Sequence, residues 1–231
     1  MPKPSVRTTL ALAASTIDHS LMLRVAVAAM LLFVLSAPAH AEERTIVVLG
    51  DSLSAAYGMD REQGWVAHLE RRLADEQLPW RVANASVSGD TLRSGLNRLP
   101  RVLERHEPAI VIVALGGNDG LRGVSPGEIE NNLTGIVEKA RAAGAEVLIA
   151  GVRIPPNYGQ AYTQRFAATF TDVAEEHDLR LVPRILDGVA ENRDLMQDDG
   201  IHPRAEAQAR ILDNIWSELR PILEEQGSVE S

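Results

Sequence analysis

The chain has 231 residues, of which 45% are hydrophobic and 24% are charged, and its formal net charge is −9. This is the composition of an ordinary globular protein, long enough for one sizeable domain and short for two. The acidic balance argues against nucleic acid and anionic membrane surfaces as partners. The lack of cysteine excludes disulfides, thiol catalysis and zinc–thiolate sites.

Residues 1–41 have the pattern of a secretory signal peptide. A basic residue precedes the apolar run 25–35, and a cleavage signature follows at 39–41. The apolar run has 11 residues, whereas a membrane-spanning helix needs about 20. We therefore expect the rest of the chain, 42–231, to be one exported domain, periplasmic or secreted. The stretch before Met22 is long and polar for a signal, which makes Met22 an alternative start of translation.

Short apolar runs alternate with longer amphipathic segments from Arg44 onward. Five runs rich in β-branched residues predict strands: TIVVLG, WRVANAS, AIVIVALGG, EVLIAGV and the weaker LRLVP. Helical periodicity predicts helices over residues 65–76, 91–105, 125–143, 161–176 and 203–224. Nearly continuous apolar strands are buried on both faces, so this alternation predicts an α/β sandwich of the doubly wound kind.

Two of the predicted helices have marked starts. For the third, Ser125 is a predicted N-cap before a proline, and Glu128 completes a predicted capping box. Gly144 lies just past its end. For the last helix, Pro203 suits the first helical position.

Polar turn residues follow the first three predicted strands, as GDSL, NASVSGD and GGNDG. Ligands of an open parallel sheet bind outside the carboxyl ends of its strands, so these turns share one edge. Ser52, in the first turn, is a candidate nucleophile held at a strand tip. Each turn taken alone is equally explained by turn formation, because glycine, asparagine, serine and aspartate favour turns.

A serine nucleophile needs a base and a third group that orients the base. His202 lies in a loop before the last predicted helix, whereas the other histidines beyond residue 41 lie within predicted helices or at their ends. Asp199 can fold back onto the imidazole Nδ1 through a turn at Gly200, which leaves Nε2 facing Ser52. Asp198 is the second choice for this role.

Acyl transfer also needs hydrogen-bond donors for a developing oxyanion. The backbone N–H of Ser52 is one candidate. Gly89 can bring its N–H close because it has no Cβ, and the side-chain amide of Asn118 offers a third donor. The alternative for the last two is a turn glycine and a turn asparagine.

Four ordered blocks resemble the successive motifs of the GDSL or SGNH hydrolases: LGDSLS, NASVSGDT, GGNDGLRG and MQDDGIHP. The resemblance runs from about Thr45 to about Pro221 and is to the bacterial periplasmic branch with acyl thioesterase, arylesterase and lysophospholipase activities. It implies a flavodoxin-like three-layer α/β/α sandwich with a mostly parallel five-stranded sheet. It implies no metal and no organic cofactor.

The same resemblance implies a role for each matching residue. Ser52 corresponds to the nucleophile, and Asp199 and His202 to the other members of a catalytic triad. Gly89 and Asn118 join the N–H of Ser52 in the oxyanion hole. The implied activity is a serine esterase that hydrolyses aryl esters, lysophospholipids or acyl thioesters through an acyl-enzyme on Ser52.

Two loops at the same edge are candidate walls of an acyl groove. Leu121 and Val124 follow the third strand, and Ile154, Pro155 and Tyr158 follow the fourth. The alternative is a pair of surface loops whose glycines and prolines serve turn geometry.

Two other functions remain open at this point. A carbohydrate O-acetylesterase would use the same triad. A non-catalytic flavodoxin-like or receiver-like module would use Asp51 and Asp119 to hold Mg²⁺ or accept phosphate, although the chain lacks phosphate-cradling glycine motifs. In either hydrolase we expect a monomer acting on a small ester or lipid substrate, without nucleic acid and without stable membrane insertion.

Overall fold

The computed structural model describes residues 43–228, so the predicted signal, residues 1–41, lies outside the described residues. Within that range, five strands form one sheet in the order β2-β1-β3-β4-β5, and each neighbouring pair is parallel. The strands are β1 Arg44–Gly50, β2 Trp80–Asn84, β3 Ile110–Ala114, β4 Glu146–Ala150 and β5 Arg180–Val182. All five predicted strands are confirmed, and the sheet is entirely parallel.

Helices cover both faces of this sheet. They are α1 Trp65–Asp75, α2 Leu92–His106, α3 Gly117–Leu121, α4 Pro126–Ala142, α5 Gln160–Glu176 and α6 Gln208–Ser228. On one face α4 packs between α2 and α5, and on the other α1 packs against α6. The predicted three-layer α/β/α sandwich is confirmed. Among the described residues, no helix is long and apolar enough to cross a membrane.

The central strands are buried because helices cover them from both sides. In β1 the side chains of residues 46–49 are fully buried, and every residue of β3 is buried. This explains why both strands have continuous apolar sequences instead of alternating ones. The chain passes from β1 to β2 on one side and then returns to β3 on the other, so β1 and β3 flank the point where the winding reverses. Their carboxyl ends therefore border the crevice where such folds bind ligands.

The main differences from the predicted helices lie near the site. Helix α3, Gly117–Leu121, was not predicted, because a five-residue segment with two glycines has no apolar periodicity. The last helix begins at Gln208 and not at Pro203. Pro203 instead forms an isolated antiparallel bridge with Met196, and a 3-10 turn at Ala205–Ala207 precedes the helix.

The predicted capping box of α4 is half present. The side chain of Ser125 accepts a hydrogen bond from the backbone N–H of Glu128, as an N-cap should. The carboxylate of Glu128 does not reach back, because it pairs with Arg93 on α2 at 2.6 Å. The end of the helix is as predicted, with Gly144 in a left-handed conformation at φ +84°.

Candidate active site

The segment after β1, residues 51–58, forms a turn that holds Ser52 at the strand tip; we call it the nucleophile loop. The backbone N–H of Ser54 donates to the carbonyl of Asp51 at 3.2 Å, which closes the first part of the turn. Gly50 at the end of the strand has no room for a side chain, since a Cβ there would lie 2.7 Å from the Cβ and Oγ of Ser54. The apolar strand therefore ends in glycine for a steric reason.

Residues 195–204 form a second loop, which we call the base loop. Its two arms pair like a short hairpin through the bridge between Met196 and Pro203. Within it, the backbone N–H of Gln197 donates to the carbonyl of His202 at 2.7 Å. These contacts fix the backbone on both sides of His202 without help from the sheet.

Asp199 organises the tip of the base loop. Its Oδ1 accepts hydrogen bonds from the backbone N–H groups of Ile201 at 2.9 Å and His202 at 3.0 Å. Its Oδ2 lies 2.7 Å from Nδ1 of His202. Gly200 makes the turn between them at φ +67°, as the spacing predicted. One carboxylate thus shapes the loop and orients the imidazole.

Asp198 and Asp199 have different surroundings. Asp198 is nearly fully exposed and pairs with Arg204 at 2.8 Å. The hydrogen bonds that Asp199 accepts from the side chain and backbone of His202 lower its pKa to about 2. Asp199 is therefore ionised at neutral pH and stabilises a positive charge on the imidazole.

The two loops meet at His202. Its Nε2 lies 2.8 Å from Oγ of Ser52, so Asp199, His202 and Ser52 form one connected chain of polar contacts. The ring of Tyr57 lies against the imidazole, with ring centroids 4.4 Å apart and planes tilted by 36°. Tyr57 was not predicted from the sequence. It lies five residues after Ser52, but a tyrosine in a turn carries no signal that it will contact a histidine.

The three predicted oxyanion donors follow three neighbouring strands. The backbone N–H groups of Ser52 and Gly89 have no acceptor among the residues that the structure describes. Gly89 has φ +84°, which a residue with a side chain rarely adopts. Nδ2 of Asn118, at the start of α3, donates to the carbonyl of Asp90 at 2.9 Å and lies 3.3 Å from Oδ2 of Asp51. Two backbone donors are therefore available, and the carboxamide is held by the two loops it adjoins.

Arg98 on α2 ties the turns after β1 and β2 together. Its guanidinium donates to the carbonyl of Gly50 at 3.3 Å, to the carbonyl of Ala85 and to the carboxylate of Asp90 at 2.7 Å. Arg98 was not predicted from the sequence either. It lies in an amphipathic helix with other arginines, and nothing in its spacing distinguishes it from them.

Two buried carboxylates support the nucleophile side of the site. Asp51 is 2% exposed and accepts a hydrogen bond from the N–H of Leu53 at 3.0 Å. Burial raises the pKa of Asp51 to about 6, although the N–H of Leu53 and the nearby His202 act to lower it. Asp119 is 1% exposed, accepts from the N–H of Leu92 at 2.9 Å, and has a pKa that burial raises. Asp51 and Asp119, the two acids that a Mg²⁺-binding or phosphate-accepting module would use, thus both accept hydrogen bonds from backbone N–H groups of the protein.

Two of the five predicted groove residues contact each other across the two loops, and not all five lie at the surface. The hydroxyl of Tyr158 donates to the carbonyl of Leu121 at 3.0 Å, which joins the two loops. Val124 is half-buried and Pro155 is exposed. Ile154 is buried in the hydrophobic core, so a polar substitution there would destabilise the fold and could not report on a groove.

A surface cleft of about 470 Å³ is lined in part by the base loop. Tyr57, Gln197 and Asp199 are among the residues that line it. None of the predicted groove residues lines this cleft, and neither do Ser52 and His202. The cleft therefore borders the contacts between Asp199, His202 and Ser52 at Asp199 but is not lined by the base or the nucleophile.

Comparison with known proteins decides the family. Residues 48–210 match the model of the GDSL-like lipase/acylhydrolase family. The chain belongs to this family. The predicted enzyme class, a GDSL-type serine esterase, is confirmed, and membership favours the hydrolase over the binding module.

Relatives within the family match nearly their full length. Esterase TesA of Pseudomonas aeruginosa is 50% identical over 184 residues, which are 80% of this chain and 92% of that protein. Thioesterase 1/protease 1/lysophospholipase L1 of Escherichia coli is 44% identical over 179 residues, 78% of this chain and 85% of the relative. Among solved structures, esterase EstA from Pseudoalteromonas is 40% identical with a TM-score of 0.75, covering 78% of this chain and 99% of its own.

Proposed function

We propose that the chain hydrolyses carboxylic esters and thioesters of acyl groups through an acyl-enzyme on Ser52. The observation that carries this proposal is the chain of contacts from Asp199 to His202 at 2.7 Å and from His202 to Ser52 at 2.8 Å. In this scheme Nε2 of His202 takes the proton of Ser52 as Oγ attacks the acyl carbon. The ionised Asp199 stabilises the resulting imidazolium.

The rest of the cycle uses the same groups. The oxyanion of the tetrahedral intermediate accepts hydrogen bonds from the N–H groups of Ser52 and Gly89 and from Nδ2 of Asn118, which exchanges its 3.3 Å contact with Asp51 for the oxyanion. His202 then gives its proton to the leaving alcohol or thiol, and the acyl group stays on Ser52. In the second half, His202 takes a proton from water as the water oxygen attacks the acyl carbon, and then returns that proton to Oγ of Ser52 as the acid leaves.

The proposed substrates are aryl esters, lysophospholipids and acyl thioesters. The names of the relatives support these classes, since they include an esterase, a thioesterase with lysophospholipase activity and an arylesterase from Vibrio mimicus. We propose that Leu121, Val124, Pro155 and Tyr158 contact the acyl chain, with Tyr158 37% exposed at the joined loops. The predicted signal over residues 1–41 supports action in the periplasm or outside the cell.

Labelling with a fluorophosphonate probe tests the nucleophile. EstA is inhibited by monoethylphosphonate, and we expect one covalent adduct on this chain, located on Ser52 by peptide mass spectrometry. Ser52→Ala should abolish both adduct and turnover. Ser54→Ala is the matched control, because the buried Oγ of Ser54 has no hydrogen-bond partner among the described residues. Retained turnover in pure Ser52→Ala protein would reject the assignment.

A substrate panel then tests the class. We expect kcat/KM for p-nitrophenyl esters to rise with acyl length, because each buried methylene contributes about 0.8 kcal/mol. Lysophospholipids, acyl thioesters and an acetylated sugar complete the panel. A preference for acetate over octanoate would contradict the acyl groove and favour the carbohydrate O-acetylesterase.

A further inference from the structure

The nucleophile loop and the base loop are far apart in sequence and follow different elements of the fold. Among the described residues, only two hydrogen bonds join them directly. One is the contact between His202 and Ser52. In the other, Nε2 of Gln197 donates to the carbonyl of Tyr57 at 2.8 Å. The spacing of the base from the nucleophile therefore depends on a bond outside the triad.

The carboxamide of Gln197 is held from several directions. Its Nε2 also donates to the carbonyl of Pro203 at 3.0 Å, so its two N–H groups reach one carbonyl on each loop. Its backbone N–H donates to the carbonyl of His202 at 2.7 Å. Gly58 leaves room for the side chain, since a Cβ there would lie 2.5 Å from Oε1 of Gln197. Both loops are shaped around this one amide.

The backbone carbonyl that Gln197 holds belongs to Tyr57, whose ring lies against His202 with centroids 4.4 Å apart. The side-chain amide of Gln197 thus restrains the imidazole of His202 in two ways. It holds the base loop that carries His202, and it holds the backbone of Tyr57, whose ring lies against the imidazole. A displacement of either loop would lengthen the 2.8 Å contact between Nε2 of His202 and Oγ of Ser52.

We infer that Gln197 is a positioning residue for the catalytic base: its carboxamide sets the distance and angle between His202 and Ser52 by hydrogen-bonding both loops. The inference rests on the proposed function of His202 and Ser52. Misplacing reacting groups by about 1 Å can lower a rate by roughly 100-fold. Loss of the amide should therefore lower kcat and leave KM nearly unchanged, because Gln197 does not bind the acyl chain in this scheme.

The first experiment compares Gln197→Ala with Asn214→Ala on a p-nitrophenyl ester. Asn214 is a matched control, since its Nδ2 likewise donates to two backbone carbonyls, those of Ile185 at 3.1 Å and Asp187 at 3.0 Å, and both lie outside the two loops. We expect Gln197→Ala to lose roughly 10- to 100-fold in kcat with KM within about twofold. Asn214→Ala should lose stability and little kcat. The opposite pattern would overturn the inference.

The second experiment is a double-mutant cycle with His202→Ala. If Gln197 acts through His202, then Gln197→Ala should cause no further loss of the residual activity in the His202→Ala background. A full additional loss in that background would make Gln197 an ordinary structural residue. Full activity in the single His202→Ala variant would refute the proposed triad, and the role of Gln197 would fall with it.

Gln197→Glu keeps the volume of the side chain and removes its donors. Its carboxylate would face the two carbonyl oxygens of Tyr57 and Pro203, so kcat should fall at least as far as in Gln197→Ala. Wild-type kcat in Gln197→Glu would overturn the inference even if the alanine variant does not fold.

Discussion

Ser52 and Asn118 lie on turns that directly follow the central strands β1 and β3, whereas Asp199 and His202 lie on a loop between β5 and α6. The acids on the first side are buried, with Asp51 2% and Asp119 1% exposed. The side chain of Asp199 on the second side is 39% exposed. The nucleophile half is thus built into the core, and the base half is held by hydrogen bonds within its own loop.

This difference in burial determines how substitutions in each half should change activity and stability. Substitutions in the nucleophile half also change buried contacts, so activity and stability should fall together there. The base loop has few buried groups, so its hydrogen bonds should be removable with little cost in global stability. The two halves then predict different ratios of lost activity to lost stability.

The largest effect is expected in the base half, at Asp199. Asp199→Asn keeps an oxygen for the N–H groups of Ile201 and His202 but presents an amide to Nδ1, which disfavours the tautomer that the base requires. We expect kcat to fall roughly 10⁴-fold, as the corresponding substitution does in serine proteases. The melting temperature should change by no more than a few degrees.

Asp199→Ala separates orientation of the imidazole from the shape of the loop. It removes all three hydrogen bonds of the carboxylate, so its kcat should fall at least as far as that of the asparagine variant. Steady-state kinetics and thermal unfolding on the same preparations measure both quantities. A loss of stability as severe as that in a core variant would contradict the view that the base loop is held locally.

Asn118→Ala is the corresponding substitution in the nucleophile half, and its effect should be smaller. An oxyanion donor typically contributes about 2.7–4 kcal/mol to the transition state, so kcat should fall roughly 100-fold or somewhat more, with little change in KM. The variant also leaves the carbonyl of Asp90 and the buried carboxylate of Asp51 without this donor, so the melting temperature should fall as well.

Kinetics and thermal unfolding of Asn118→Ala decide between two roles. A rise in KM matching the fall in kcat, together with a loss of stability, would make Asn118 a turn residue and not an oxyanion donor. Its counterpart for stability alone is Asn132→Ala on α4, a buried amide whose Nδ2 has no hydrogen-bond partner among the described residues.

Much of the fold could be predicted because its signals are local. Each strand is an apolar run bounded by turn residues, and each long helix has amphipathic periodicity. The short helix Gly117–Leu121 could not be found this way, since its conformation depends on tertiary contacts. Gly116 before it has φ +114°, and a Cβ there would lie 2.7 Å from the ring of Phe170. Pro203 misled the prediction because a bridge to Met196 outweighs its helix-start preference.

The candidate site divides in the same way. Ser52, Asp199 and His202 could be predicted because each lies in a short block whose residue types suit the chemistry. Gln197 lies in one of those blocks, but its partner is a backbone carbonyl 140 residues away. Arg98 also binds distant carbonyls. Contacts of this kind produce no recognisable pattern of residue types or spacings in the sequence, because any residue type supplies a backbone carbonyl.

The pH dependence of stability should show the sharpest contrast between the two halves. Of the effects predicted here, it involves the smallest change in turnover. Asp51 has a folded pKa of about 6 and an ordinary value of 3.8, so the folded state holds its proton more tightly than the unfolded state. The contribution of Asp51 to the free energy of unfolding therefore falls as pH rises from about 4 to about 6 and is constant above that range. Asp199 has a folded pKa of about 2, so its stabilising contribution is fully present above its ordinary value of 3.8 and is lost as pH falls towards 2.

Thermal unfolding from pH 4.5 to pH 7 should separate these two carboxylates. The melting temperature of Asp51→Asn relative to that of the wild type should rise as pH increases to about 6 and then level off, because only the wild type forms a buried charge. The difference between Asp199→Asn and the wild type should stay nearly constant, because Asp199 is largely ionised in both states over that range. Parallel curves for Asp51→Asn and the wild type would mean that Asp51 is already ionised at pH 4.5. The contrast between a buried nucleophile half and a locally held base half would then fail at Asp51.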